Sequence, residues 1–292
     1  MPASNLLGLS LAAALGAYLG PLITANIPLN LNLPFSLNLA LPFLTSPPPS
    51  PPPTCPPHNY TTQLISLDPL LIYITSFLSP SESSHLITLG TPLLTPSPLL
   101  GAAASSIPQS RTSWSAPLPA DDPTVLCVLS RASSFLGTLL SPGRDEIGPS
   151  QMVRYTAGQK FDLHTDWFSQ PRLDDADIST GRRRLYNRAA TLFVVLQANH
   201  TRGGETWFPR VKAITPQNRR TPAQEGEGVW REHEDGGLAF KAVSGNALFW
   251  VNLLPNGTGD ARTVHAGLPV EGEDGTKHAM NIWPRVFFGP DA

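Results

Sequence analysis

Residues 153 to 168 read VRYTAGQKFDLHTDWF, and this stretch shows the pattern that decides the fold. Two short runs of aromatic, aliphatic and β-branched residues, VRYT and FDLHTDW, stand on either side of a glycine. Runs of this length and composition, interrupted by glycine or asparagine, are typical of strands in an all-β sandwich or barrel. The stretch therefore predicts two short strands.

The chain after Gly148 repeats this pattern as far as residue 289. Glycine and asparagine interrupt it at RGGE, SGN and PNGTG. We predict a double-stranded β-helix, or jelly roll, over about residues 148 to 289. Its further strands are expected within AATLFVVLQA, GLAFKAV, ALFWVNLL, RTVHAGLPV and HAMNIWPRVFF.

The residues before the jelly roll predict one strand and two helices. Leu70 to Ile74 form the strand, and Ser79 to Ser81 with Glu82 open the first helix. The second helix is expected over Pro123 to Leu140. We therefore expect a mainly β fold with flanking helices, in which the jelly roll packs against N-terminal helices. The predicted apolar face of the second helix consists of Leu126, Leu129, Phe135 and Leu139.

Composition separates the first part of the chain from the rest. The 292 residues carry 20 basic and 22 acidic side chains, a net charge of −2, so we expect no nucleic-acid partner. Residues 6 to 25 are uncharged and mostly apolar, which predicts a signal peptide or membrane anchor over residues 1 to 25, with a buried helix as the alternative. Residues 26 to 66 include SPPPSPPPTCPP and predict a proline-rich stalk, which leaves residues 67 to 289 as the folded domain.

The two cysteines and two polar insertions carry weaker signals. Cys55 lies in the proline tract and far from Cys127, so we expect no disulfide framework, although a single bridge is the alternative. Residues 169 to 188 and 213 to 236 interrupt the strand pattern. We predict that both are loops at the barrel mouth or solvated excursions.

His164 and Asp166 are the first candidate metal ligands. In a strand, residues two apart point to the same face, so both side chains would enter the barrel. Two histidines and one carboxylate form the facial triad of non-haem Fe(II) oxygenases, so a second histidine is needed. His265 is the best placed, because RTVHAGLPV is strand-like. The other candidates are His200, His233 and His278.

Six blocks of the sequence resemble a known family. VRYTAGQKFDLHTDWF, AATLFVVLQ, GGETWFP, GNALFWVNLLPNG, ARTVHAGLPV and KHAMNIWPR occur in the order found in Fe(II)- and 2-oxoglutarate-dependent dioxygenases of the prolyl 4-hydroxylase alpha-subunit type. YITSFLSPSESSHLI and SRTSW, upstream, are also similar to that family. The resemblance covers roughly residues 67 to 289.

The resemblance implies a role for six residues and for three small molecules. His164, Asp166 and His265 correspond to the iron ligands, and Lys277 to the cation that pairs with the distal carboxylate of 2-oxoglutarate. Ascorbate is implied as the reductant and O₂ as the oxidising substrate. The residues implied as hydroxyl donors to 2-oxoglutarate are Tyr155 and Thr191.

The resemblance implies hydroxylation of a peptide or protein substrate at proline, with release of succinate and CO₂. It also implies a location in the lumen or membrane of the endoplasmic reticulum. Two alternatives remain from the sequence. One is a dioxygenase of the same fold that acts on another side chain or on a small molecule. The other is a non-catalytic metal-binding jelly roll that serves as an interaction module.

Overall fold

The computed structural model describes residues 54 to 98, 110 to 199, 203 to 214 and 228 to 289. The predicted signal peptide or anchor, most of the predicted stalk, His200 and the middle of the second insertion lie outside these residues. None of the helices in the described part of the chain has both the length and the apolar character of a membrane span.

The helices are α1 (Pro80–Gly90), α2 (Pro123–Leu136) and α3 (Asp175–Thr180). The strands are β1 (Thr61–Leu67), β2 (Leu70–Thr75), β3 (Thr95–Pro96), β4 (Trp114–Pro117), β5 (Glu146–Ile147), β6 (Gln151–Thr156), β7 (Phe161–His164), β8 (Arg172–Leu173), β9 (Leu185–Arg188), β10 (Ala190–Ala198), β11 (Thr206–Phe208), β12 (Trp230–Glu232), β13 (Leu238–Phe240), β14 (Ala247–Val251), β15 (His265–Gly267), β16 (Thr276–Ile282) and β17 (Pro284–Phe288).

These strands form three antiparallel sheets. The large sheet has the order β1-β2-β14-β10-β16-β6-β4-β3, and the second has the order β12-β13-β11-β15-β7. A smaller sheet has the order β5-β17-β9-β8. The large and second sheets supply the two walls of a jelly roll. The predicted fold, mainly β with flanking helices, is confirmed.

Alternation along β10 and β14 gives the large sheet two different faces. Leu192 of β10 and Phe249 of β14 belong to the core that packs against α1 and α2. Trp250 and Leu248, on the other face of β14, pack against the second sheet. Because successive side chains of a strand point to opposite faces, β10 directs Thr191 into the jelly roll. The helices therefore cover one face of the large sheet and leave the other free for a site.

The starts of both helices agree with the sequence prediction. Ser79 caps α1, with Glu82 completing a capping box, and Asp122 caps α2. The predicted apolar face of α2 is only partly correct, because Leu126 and Leu139 are exposed. Leu129 and Phe135 are half-buried against the core. Most of the buried residues of the helix are smaller than leucine, and they are Val125, Cys127, Val128, Ala132 and Leu136.

The predicted boundary between stalk and domain is also wrong. Residues 61 to 66, assigned to the stalk, belong to β1, which pairs with β2 at the edge of the large sheet. Cys55 forms a disulfide with Cys127 of α2, so the alternative of a bridge is the correct one. The two cysteines lie far apart in the sequence, and only the folded chain brings the end of the proline tract next to α2.

The insertion of residues 169 to 188 is not a simple loop. It contains β8, α3 and β9, and β9 pairs with β17 in the smallest sheet. Asp174 caps α3, and Arg184 holds Asp177 with an Nε–Oδ2 distance of 2.8 Å. Helix capping and strand pairing therefore give regular structure to a segment whose polar composition had predicted a loop. In the second insertion, the described residues include β12.

Candidate metal centre

His164 and His265 face each other across two paired strands. His164 is the last residue of β7, His265 is the first residue of β15, and the two are direct partners in the antiparallel register. Asp166 lies just beyond β7, so the expectation that it shares a strand with His164 is wrong. After β7 the backbone is held by side chains and not by a neighbouring strand. Asn187 Oδ1 accepts a hydrogen bond from the Phe168 amide, and Arg188 donates one to the Asp166 carbonyl.

The three side chains nevertheless meet at one point. His164 Nε2 lies 3.9 Å from Asp166 Oδ1, and His265 Nε2 lies 3.8 Å from Asp166 Oδ2. The three ligand atoms lie within 4.8 Å of one another, which suits a single metal ion. Two imidazoles and one carboxylate on one side of an ion leave its other positions open, as in non-haem iron sites.

Backbone carbonyls orient both imidazoles. His164 Nδ1 lies 2.8 Å from the Asp162 oxygen, and His265 Nδ1 lies 3.0 Å from the Thr263 oxygen. A carbonyl oxygen only accepts, so each Nδ1 carries the proton and each Nε2 keeps its lone pair for a metal. The two rings are therefore fixed in the tautomer that ligation requires.

The ionisation states of the ligands also suit a metal. Burial and the neighbouring His265 hold the pKa of His164 well below its usual 6.5, so the ring is neutral at physiological pH. Burial raises the pKa of Asp166, but His265, His164, Arg188 and a hydrogen bond from Thr191 outweigh it and lower that pKa below the usual value. The carboxylate is therefore ionised. The neutral His164 imidazole and the anionic Asp166 carboxylate are the forms that bind a metal.

Thr191 and Asn252 fix the carboxylate. Thr191 Oγ1 donates to Asp166 Oδ2 at 2.7 Å, and Asn252 Nδ2 donates to Thr191 Oγ1 at 2.9 Å. Both side chains are completely buried. The single hydroxyl proton of Thr191 is thus given to Asp166, while its expected role as a donor to 2-oxoglutarate stays a prediction.

Trp167 connects the segment of Asp166 to the loop that leads to His265. Its Nε1 donates to the Asp260 carbonyl at 3.1 Å, and its ring lies so close to Gly259 that a Cβ there would overlap it. The Asp260 carbonyl also accepts from Thr263, whose own carbonyl orients His265. This contact sets the spacing between two of the three ligands.

A cavity of about 310 Å³ opens next to His164, Asp166 and His265, between the large sheet and the second sheet. Lys277 of β16 lines it and is only 2% exposed. Its Nζ donates to the Gly204 carbonyl at 2.7 Å. Burial lowers its pKa to about 8, partly opposed by the charge of Glu205. A buried ammonium of this kind needs an anion, and a carboxylate entering the cavity would provide one.

Tyr155 of β6 lines the same cavity and is the direct strand partner of Lys277. Burial raises the pKa of its hydroxyl, although Arg111 and Ser113 oppose the shift. The phenol therefore keeps its proton and can donate a hydrogen bond into the cavity. The structure thus brings Tyr155 and Lys277 to the cavity that contains the three ligands. His233 and His278 do not line this cavity.

Several residues of the cavity wall were not predicted from the sequence, among them Arg111, Arg188 and Trp283. The Arg188 guanidinium lies 3.5 Å from the centre of the Trp283 ring. Burial lowers the pKa of Arg188 to about 10, so the group stays charged at neutral pH. In the sequence, Arg188 is visible only as an arginine directly before the apolar run AATLFVVLQA, and this position alone does not indicate a buried side chain.

Comparisons with known proteins agree with this site. The family model described as the 2OG-Fe(II) oxygenase superfamily matches residues 150–285. The chain is 34% identical over 229 residues to probable prolyl 4-hydroxylase 6 of Arabidopsis thaliana, a match that covers 77% of this chain and 72% of that protein. It is 30% identical over 225 residues to prolyl 4-hydroxylase 2 of the same plant, covering 76% of this chain and 69% of that protein.

A solved structure shows the same relationship. The viral collagen prolyl hydroxylase vCPH from Paramecium Bursaria Chlorella virus-1, in its 2OG complex, matches with a TM-score of 0.51 and 25% identity. The match covers 74% of this chain and 96% of that chain. With the ligand geometry described above, these matches show that the chain belongs to the 2OG-Fe(II) oxygenase superfamily and is a prolyl 4-hydroxylase-like dioxygenase that uses Fe(II) and 2-oxoglutarate.

Proposed function

We propose that the chain hydroxylates proline in a peptide or protein, with iron held by His164, Asp166 and His265. The observation that carries this proposal is one cavity that contains both the three ligands and the buried cation Lys277. The names of the Arabidopsis relatives support proline as the target. Bound iron and 2-oxoglutarate together supply the oxidising power that inserts one oxygen atom of O₂ into a C–H bond.

The residues of the chain divide the remaining work. Lys277 pairs with the distal carboxylate of 2-oxoglutarate, and Tyr155 donates its hydroxyl to the same molecule. Thr191 holds Asp166 in place. The wall formed by the large sheet excludes water, because Phe193 of β10 and Trp250 of β14 line the cavity. The peptide enters the same cavity, whose lining also includes Arg111 and Trp283.

We further propose that ascorbate keeps the iron reduced and that the chain works in the secretory pathway, in the lumen or at the membrane of the endoplasmic reticulum. The Cys55–Cys127 disulfide supports an oxidising compartment. Residues 1 to 25 then act as a signal peptide or membrane anchor. Omitting ascorbate is expected to slow turnover progressively in a time course rather than reduce its initial rate.

The test measures succinate formation by the full chain with Fe(II), 2-oxoglutarate and ascorbate. A proline-rich peptide is compared with the same peptide in which alanine replaces proline. We expect succinate formation to rise only with the proline peptide, which should gain one oxygen atom per modified residue by mass spectrometry. Equal turnover with both peptides, or an unmodified proline peptide, would contradict proline as the target.

A further inference from the structure

We propose that the insertion of residues 169 to 188 makes one side of the cavity mouth a binding surface for acidic side chains. The preferred substrate would then carry an aspartate or glutamate close to the hydroxylated residue. This inference rests on the proposed function, because it specifies the substrate of the same cavity.

The insertion has more positive charge than its own carboxylates neutralise. It contains five arginines and three aspartates. Asp177 is paired with Arg184 inside the insertion, and Asp174 lies 3.4 Å from Arg285 of β17. Among the described residues, no carboxylate forms an ion pair with Arg172, which is exposed. Arg182 and Arg183 are also exposed and add to the positive potential of this surface.

A stack of aromatic and guanidinium groups connects Arg172 to the cavity. Arg188, which lines the cavity, lies 4.9 Å from the centre of the Phe168 ring, and Arg172 lies 4.3 Å from the same ring centre. Arg188 also lies against Trp283, another residue of the wall. Stacking restrains a guanidinium and leaves its N–H edge free for a carboxylate. The positive surface therefore continues from the cavity wall to Arg172.

The groups inside the cavity leave this positive charge uncompensated. Of the two carboxylates that line it, Asp166 is engaged by the metal and Asp162 lies 2.7 Å from Lys160. Lys277 is engaged by the distal carboxylate of 2-oxoglutarate. The charge of Asp166 acts on both Arg111 and Arg188, but neither arginine forms an ion pair with a carboxylate of the described residues. A substrate that carries a negative charge is attracted to this mouth, and a substrate with positive charges near the target is disfavoured.

The experiment uses pairs of proline peptides that differ only by Glu or Gln at successive positions from the target. With the full chain, Fe(II) and 2-oxoglutarate, we expect Glu to lower KM about threefold at one or two positions, as expected for an exposed ion pair. The preference should weaken at high salt. Arg172→Gln should abolish the preference, and Arg172→Lys should keep part of it. Lys212→Gln, which removes an exposed charge outside the cavity, should leave it intact.

Equal KM values for Glu and Gln peptides at every position would overturn the inference. An equal loss of preference in the Arg172→Gln and Lys212→Gln variants would do the same. If no proline peptide is turned over, the proposed function fails, and the anisotropy of the same fluorescently labelled peptides then measures acid preference directly. Preferential binding of Glu peptides that requires Arg172 would support the binding surface, and equal binding would overturn it.

Discussion

At the scale of single residues, Lys277 links the electrostatics of the cavity to cosubstrate binding. Its pKa of about 8 reflects burial, and a bound carboxylate would raise that pKa. Affinity for 2-oxoglutarate should therefore be constant below about pH 8 and fall by up to about tenfold per pH unit above it. Isothermal titration of the Mn(II)-loaded protein across this pH range measures the effect.

Replacing Lys277 provides the matched test. Lys277→Ala should raise the dissociation constant of 2-oxoglutarate about 10- to 100-fold, the range that a charged hydrogen bond of about 1.5 to 3 kcal/mol contributes. The same titration should lose its pH dependence in this variant. Lys212→Ala serves as the control, since that lysine is exposed. An unchanged dissociation constant in the Lys277 variant would mean that the cosubstrate carboxylate lies elsewhere.

Substitutions of Thr191 distinguish between two roles, which are to orient Asp166 and to donate a hydrogen bond to 2-oxoglutarate. Because its hydroxyl donates to Asp166, Thr191→Val should weaken metal binding about 10- to 100-fold, as loss of a residue that orients a ligand does. Thr191→Ser keeps the hydroxyl and should retain most of the affinity. Metal titration by electron paramagnetic resonance of free Mn(II) gives both values. Intact metal binding together with weakened 2-oxoglutarate binding would instead support a donor to the cosubstrate.

At the scale of elements, the segment after β7 and the loop before β15 position the ligands jointly. Gly259→Ala would place a methyl group in the Trp167 ring, so the free energy of unfolding should fall by about 1 to 3 kcal/mol and metal affinity should fall with it. In the double variant with Trp167→Leu, the overlap is relieved and stability should recover. Metal affinity should stay low in the double variant, because leucine cannot donate the hydrogen bond that Trp167 Nε1 gives to the Asp260 carbonyl.

The two single variants and the double variant are compared by two measurements. Denaturant unfolding gives their stability, and Mn(II) titration gives their metal affinity. If Gly259→Ala lowered stability but left metal affinity unchanged, the loop would have no part in positioning the ligands. Recovery of metal affinity in the double variant would show that the hydrogen bond from Trp167 is dispensable.

The elements also show what the sequence could predict. The short runs of aromatic, aliphatic and β-branched residues around His164 and His265 predicted the strands that carry them, because the composition of a run is a local property. The position of Asp166 beyond β7 was not predictable, since it depends on contacts with Asn187 and Arg188. The buried face of α2 was only partly predicted, because Leu126 and Leu139 were included and the smaller buried residues, such as Val125 and Val128, were not.

At the scale of the whole molecule, the order of motifs was enough to predict the jelly roll, while the roles of the three candidate ligands and of Lys277 stay predictions. The smallest sheet and the cavity arginines were missed because they depend on pairing between distant segments, such as β9 with β17. The disulfide was only the alternative prediction for the same reason, since Cys55 and Cys127 are separated by 72 positions. Contacts of this kind leave little trace in a single sequence.

The disulfide gives a prediction for the whole fold. It closes a long loop, and removal of such a bridge costs about 2 to 4 kcal/mol of the free energy of unfolding. Cys55→Ser should show this loss in denaturant unfolding, and a reducing agent should cause the same loss in the wild-type protein. The reducing agent should have no effect on the variant. Equal stability of oxidised and reduced protein would mean that the bridge does not hold β1 and α2 together.

The most direct test of the central claim is equilibrium binding of Mn(II), a redox-stable substitute for Fe(II). The wild-type protein should bind one equivalent, and His164→Ala, Asp166→Ala and His265→Ala should each abolish binding while circular dichroism confirms that the variants remain folded. His85→Ala, which removes an exposed histidine of α1, should bind as the wild-type protein does. Wild-type affinity in any of the three ligand variants would contradict the assignment of the metal centre.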